Sequence, residues 1–126
     1  MFKNWFKPKT IYVQVFKNQF KLYSCDTQQL TIVNGEFTHP RMLLGSFTDA
    51  EQLLKQHFNH HAKIPGLKSY RAIIHPKELV DGGLSDIEQR ALRELFLGLG
   101  FQNAQIWQGQ DLSDEQLNTF DWKNDH

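Results

Sequence analysis

Cysteine is almost missing from these 126 residues. Cys25 stands alone, so no intrachain disulfide can form, which fits a reducing cytoplasm. No apolar run approaches the roughly 20 residues a membrane span requires, and the N-terminus has neither the apolar stretch nor the small-residue cleavage site of a signal peptide. The expected location is therefore the cytoplasm. Net charge is also absent: 14 Lys and Arg balance 14 Asp and Glu. A general nucleic-acid binder needs a basic surface, so that class is excluded as a partner. There are no repeats, low-complexity tracts or internal linkers, and the length suits one domain, 1–126.

The aromatic content is high. Ten phenylalanines and three tryptophans give a chain of this size enough apolar side chain to fold alone. The charges are also unevenly placed. Lys3, Lys7, Lys9, Lys17 and Lys21 open the chain with no acid among its first 23 residues, whereas Asp111, Asp114, Glu115, Asp121 and Asp125 face only Lys123 near its end. Two solvated ends that attract each other weakly would explain this, as would a basic end that meets an anionic surface.

Alternation of Ile11, Val13 and Val15 with Tyr12, Gln14 and Phe16 predicts a first strand. A polar Lys17-Asn18-Gln19 turn leads to a second strand over Phe20–Cys25, and a third runs from Gln29 to Val33 before Asn34-Gly35. Glu36 to Phe47 has no period and reads as loop. Thr48 and Glu51 match a capping box, and Ala50, Leu53, Leu54, His57, Phe58 and His61 then fall at helical spacing as far as Ala62. Tyr70 to His75 is a short apolar strand buried on both faces. Ser85 and Glu88 cap a second helix with Ile87, Ala91, Leu92, Leu95, Phe96 and Leu99 on its buried side, stopped by Gly98 or Gly100. Phe101 to Trp107 forms a last strand, and Ser113 to Gln116 caps a short helix in a C-terminal extension, 108–126. The order is βββ-α-β-α-β. With right-handed crossovers it gives a mixed α/β sheet of order 3-2-1-4-5.

Two stretches carry a resemblance. One is His39-Pro40-Arg41-Met42-Leu43-Leu44-Gly45-Ser46-Phe47-Thr48, followed by Ala50-Glu51 and Leu54; the other is Glu88-Gln89-Arg90-Ala91-Leu92-Arg93-Glu94, followed by Gly98-Leu99-Gly100. With Arg71-Ala72-Ile73-Ile74-His75-Pro76 between them, they resemble subdomain IA of the actin-like ATPases, a ribonuclease-H-like fold, and within these the rod-shape-determining bacterial actins of the MreB type. The resemblance runs from about residue 9 to residue 107 and covers only the first part of that family's chain. It implies a truncated actin-like domain, a bacterial source, and a role in cell shape or envelope assembly.

The departures from the family bear on function. After its first strand the family carries an Asp-Leu-Gly-Thr loop that holds ATP phosphates. Here Val15-Phe16-Lys17-Asn18-Gln19-Phe20 stands in its place, with no glycine to let backbone amides approach a phosphate. Neither Thr10–Phe16 nor Tyr70–His75 has a carboxylate to hold catalytic metal ions. The expectation is no enzyme, no nucleotide and no cofactor.

Other chemistry has thin support. His57 and His61 share a helix face and are the candidate metal ligands, beside His60, with His39 or His75 as a distant third; a core-boundary role is the plainer reading. A nucleophilic Cys25 would make the chain a thiol enzyme, while a packed thiol is the plainer reading. At the N-terminus (1–8), Phe2, Trp5 and Phe6 lie on one helical face with Lys3 and Lys7 off it. They either touch a membrane surface, weakly and at the inner face, or fold back on the sheet. The subdomain surface that the family buries against its other half is either covered here by Leu112, Leu117, Phe120 and Trp122 or left as an interface. A protein-binding module is therefore expected. Arg90 and Arg93 on the second helix would make the contacts, and the partner is an actin-like cytoskeletal protein or a second copy in a homodimer.

Overall fold

The computed structural model describes residues 9–40, 42–61, 67–79 and 83–122, and only the backbone of residues 60 and 61. β1 (Lys9–Phe16), β2 (Gln19–Ser24) and β3 (Gln29–Asn34) form an antiparallel meander. Helix α1 (Phe47–Gln56) follows and passes into a π turn at His57–His61. Then come β4 (Tyr70–Pro76), α2 (Asp86–Leu99), β5 (Asn103–Ile106) and a short α3 (Asp114–Asn118). β4 pairs parallel with β1, and β5 parallel with β4, so the sheet order is β3-β2-β1-β4-β5 as the crossover rule requires.

One face of the sheet carries the main core. Ile11, Val13, Val15, Phe20, Leu22, Val33, Ala72, Ile74 and Ala104 pack there against Ala50 and Leu54 of α1 and Leu92, Leu95 and Phe96 of α2. Phe20 stacks on Phe37 at 4.4 Å between ring centroids and meets Phe96 edge-on. Each buried Val, Leu, Ile or Phe side chain here contributes about 1.5–3 kcal/mol of transfer free energy. On the second face, Tyr12, Ile73 and Leu117 form a smaller cluster with Tyr23, Cys25, Trp107, Leu112, Phe120 and Trp122 packed around it. The C-terminal extension thus folds back over the sheet.

Local signals explain most boundaries. Ser85 accepts the Glu88 amide at the start of α2, and its hydroxyl donates to the Glu88 carboxylate. Gly100 ends that helix at φ 115°, a left-handed conformation that suits glycine. Ser113 and Gln116 form a complete capping box. The 36–46 loop is ordered by Asn18, whose side-chain oxygen accepts the Phe37 and Thr38 amides at 2.9 and 2.8 Å. Two expectations are corrected. The N-cap of α1 is Ser46, which accepts the Asp49 amide, and not Thr48; the Ser46–Asp49 spacing competes with Thr48–Glu51 and starts the helix two residues earlier. Ile87 is 77% exposed and not buried. It precedes Leu92 and Phe96 by five and nine residues, steps that turn a helix by about 140° and 180°.

Candidate functional site

In open α/β sheets, ligands settle outside the carboxyl ends of the parallel strands. Here those ends are Phe16 of β1 and Pro76 of β4, and two groups of residues converge on them. The β1–β2 turn contributes Lys17 and Asn18, the latter at φ 54°. The Lys17 amide donates to Glu78 Oε1 at 2.6 Å, and the Asn18 amide donates to Thr38 Oγ1 at 2.9 Å. The turn's two amides are therefore engaged by the chain's own oxygens, one of them a carboxylate.

The second group joins β1 and β4 to the C-terminal extension. Tyr12 donates its hydroxyl proton to His75 Nδ1 at 2.5 Å, and His75 Nε2 donates to the Gly109 carbonyl at 3.0 Å. That assignment makes the imidazole neutral, because both ring nitrogens are satisfied with a single proton. Burial first, and then the charge of Lys77, lower the His75 pKa, in agreement with the neutral form. The Tyr12 oxygen also accepts the Leu112 amide at 3.2 Å. Burial raises the Tyr12 pKa, so the phenol keeps its proton.

Asp111 reaches back over the strand ends, accepting from Gln14 Nε2 at 3.2 Å and from Lys77 Nζ. The Lys77 hydrogen bond holds the Asp111 carboxyl below its usual range. Gly109 lets the extension pass close to the Trp107 ring, which an added Cβ would meet at 2.7 Å. The carboxyl ends of β1 and β4 thus carry two of the chain's own carboxylates, Glu78 and Asp111, each on a donor an anionic ligand would use.

The other candidates fare unevenly. Arg90 is exposed on α2, in a stripe with Ile87, Glu94 and Leu97. Arg93 is half-buried, and its Nε donates to the Ala104 carbonyl of β5 at 2.8 Å, so it ties the helix to the sheet and presents little of itself to a partner. His57 is buried, with its ring edge-on to Phe58 at 5.1 Å; the side chain of His61 lies outside the described residues. Among the described residues no three His, Cys, Asp or Glu side chains gather as a metal site would need. Cys25 is half-buried, and its thiol is pushed up to about 11 by burial and by the charges of Asp114 and Asp26. A thiol shifted this way stays protonated at neutral pH, which disfavours Cys25 as a nucleophile. Phe2, Lys3, Trp5, Phe6 and Lys7 lie outside the described residues. No helix among the described residues is long and apolar enough to cross a membrane.

The Tyr12–His75 pair was not visible in the sequence. The residues are 63 apart, and the one signal was a histidine directly after the apolar Ala72-Ile73-Ile74 run.

No protein-family model matches this chain. The Escherichia coli (strain K12) protein YjaA, itself uncharacterised, is 25% identical over 95 residues, which span 70% of this chain and 74% of YjaA. Among solved structures, MreB5 of Spiroplasma citri superposes with a TM-score of 0.57 and 13% identity when bound to AMPPNP, and with 0.55 and 12% when bound to ADP. Both matches cover 80% of this chain and 38% of MreB5. The fold is therefore actin-like, and this chain corresponds to well under half of that neighbour.

Proposed function

We propose that this chain is a non-catalytic actin-like module that binds an actin-like cytoskeletal protein, in the service of bacterial cell shape or envelope assembly. The observation that carries the reading is the engagement of the Lys17 and Asn18 amides by Glu78 and Thr38. MreB5 is a nucleotide-bound protein of the same fold. In this chain, the turn after the first strand offers its donors to its own side chains, and Asp111 adds a negative charge nearby that a polyphosphate would have to displace. A fold of this kind without a nucleotide acts by contact.

The contact surface is the outer stripe of α2. Ile87 is the most exposed large apolar side chain among the described residues, and Arg90 lies one turn along with no ion-pair partner there. An apolar residue beside a free guanidinium suits a partner that supplies an apolar patch rimmed by carboxylate. The segment Phe2 to Lys7 would hold the complex at the inner membrane face.

Biolayer interferometry with a purified MreB-type bacterial actin tests this. Saturable binding by the wild type is expected, weakened about tenfold or more by Ile87→Asp/Arg90→Glu. Absence of wild-type binding, or equal binding by the double variant, would overturn the assignment.

A further inference from the structure

The two edges of the sheet are protected unequally. At the β5 edge, the Ala104 carbonyl is already used by Arg93, and the strand has four residues. At the β3 edge, six residues, Gln29-Leu30-Thr31-Ile32-Val33-Asn34, contain no charge and no proline. Natural edge strands are usually blunted by lysine, proline or a bulge. β3 has none of these, and it exposes Leu30 by 57% and Ile32 by 48%.

The register places these two side chains together. Leu30 lies opposite Tyr23 and Ile32 opposite Lys21, on the sheet face that the C-terminal extension covers. The apolar cluster of that extension takes in Tyr23 and stops before β3. Lys21, the nearest cation on this face, folds over the Phe16 ring at 4.9 Å. Among the described residues, what remains is a small uncharged apolar strip on a strand whose outer edge is unpaired.

We infer that β3 pairs antiparallel with β3 of a second copy of this chain, joining two sheets into one across a twofold axis. In such a pair, directly opposite residues point to the same face. A symmetric pairing must therefore place one residue on the axis. With Thr31 there, Leu30 of each copy faces Ile32 of the other, so both exposed side chains are covered by each other. On the opposite face, Thr31 meets Thr31, a favourable cross-strand pair, and Val33 meets Gln29. A strand bearing charge would repel its own copy; this one has none. The surface is separate from the α2 stripe, since α2 packs over β5 and β4 at the other side of the sheet. The two proposals fail or stand independently.

Sedimentation velocity on the full chain over a wide concentration range is the first test. It should show a species of twice the monomer mass that Ile32→Lys abolishes with no change in far-UV circular dichroism, while Arg90→Glu leaves it intact. A second measurement fixes the register. In a Cys25→Ser background, Thr31→Cys should oxidise to a covalent dimer, because opposed Cα atoms about 4.5–5.5 Å apart lie within disulfide range. Leu30→Cys, opposite Ile32, should not. A monomer at every concentration, a dimer that survives Ile32→Lys, or cross-linking through Leu30→Cys in preference to Thr31→Cys would overturn the proposal.

Discussion

The two faces of the sheet are built differently. The helix-covered face is a continuous apolar core in which strands and helices contribute side chains at their own periods. The tail-covered face centres on only Tyr12, Ile73 and Leu117, ringed by half-buried aromatics and closed by hydrogen bonds to His75, Gln14 and Tyr23. Apolar packing on the first face needs only size and pattern. The second face needs particular polar partners, because each buried donor or acceptor left unmatched costs free energy. The first is thus expected to tolerate changes of pH and the second to register them.

The largest effect should come from Phe96→Ala on the helix face, which removes a ring in contact with Phe20 and Phe101. A loss of about 3–5 kcal/mol is expected in urea unfolding. Leu117→Ala on the tail face should cost about 2–3 kcal/mol and reduce the near-ultraviolet signal of Trp107 and Trp122. A cost equal to that of Phe96→Ala would mean that the faces are not so different. Tyr12→Phe strands His75 Nδ1 and the Leu112 amide, and should cost about 1–3 kcal/mol.

The pH dependence follows from His75. Its pKa is lowered on folding, so below the ordinary value of about 6.5 the unfolded chain binds more protons than the folded one. Stability should be full above that pH and fall as pH drops through the lowered value. Urea midpoints between pH 7.5 and 5.5 would show this, and His75→Gln should flatten the profile over that range. Smallest of all, Arg90→Glu should change stability by no more than about 0.5 kcal/mol, since the side chain meets solvent.

The helix-face half of the molecule was legible in the sequence. Alternation in β1, the apolar Ala72-Ile73-Ile74 run of β4 and the Ser85 cap follow local rules, and crossover handedness then orders the strands. Ile87 departs from the expectation because apolar character alone does not bury a side chain, and its spacing from Leu92 and Phe96 turns it outward. The N-cap of α1 was misplaced because Ser46 and Thr48 both satisfy a three-residue capping rule. Leu112, Leu117, Phe120 and Trp122 were recognisable as a cover, and the sheet carries them as one. The contacts of Tyr12 with His75, Lys17 with Glu78 and Gln14 with Asp111 bridge 63, 61 and 97 residues, so no local pattern announces them. Neither did any pattern show that Arg93, unlike Arg90, is held by a strand carbonyl.

The central proposal is that the strand ends are filled by the chain's own groups and take no nucleotide. Isothermal titration calorimetry of the purified protein with ATP and magnesium tests it most directly. A flat trace is predicted, because Glu78 and Asp111 already engage the donors that phosphates would need. A saturable, stoichiometric heat would contradict the account and show that Lys17 and Lys77 release their carboxylates, and Asn18 the Thr38 hydroxyl, for a polyphosphate.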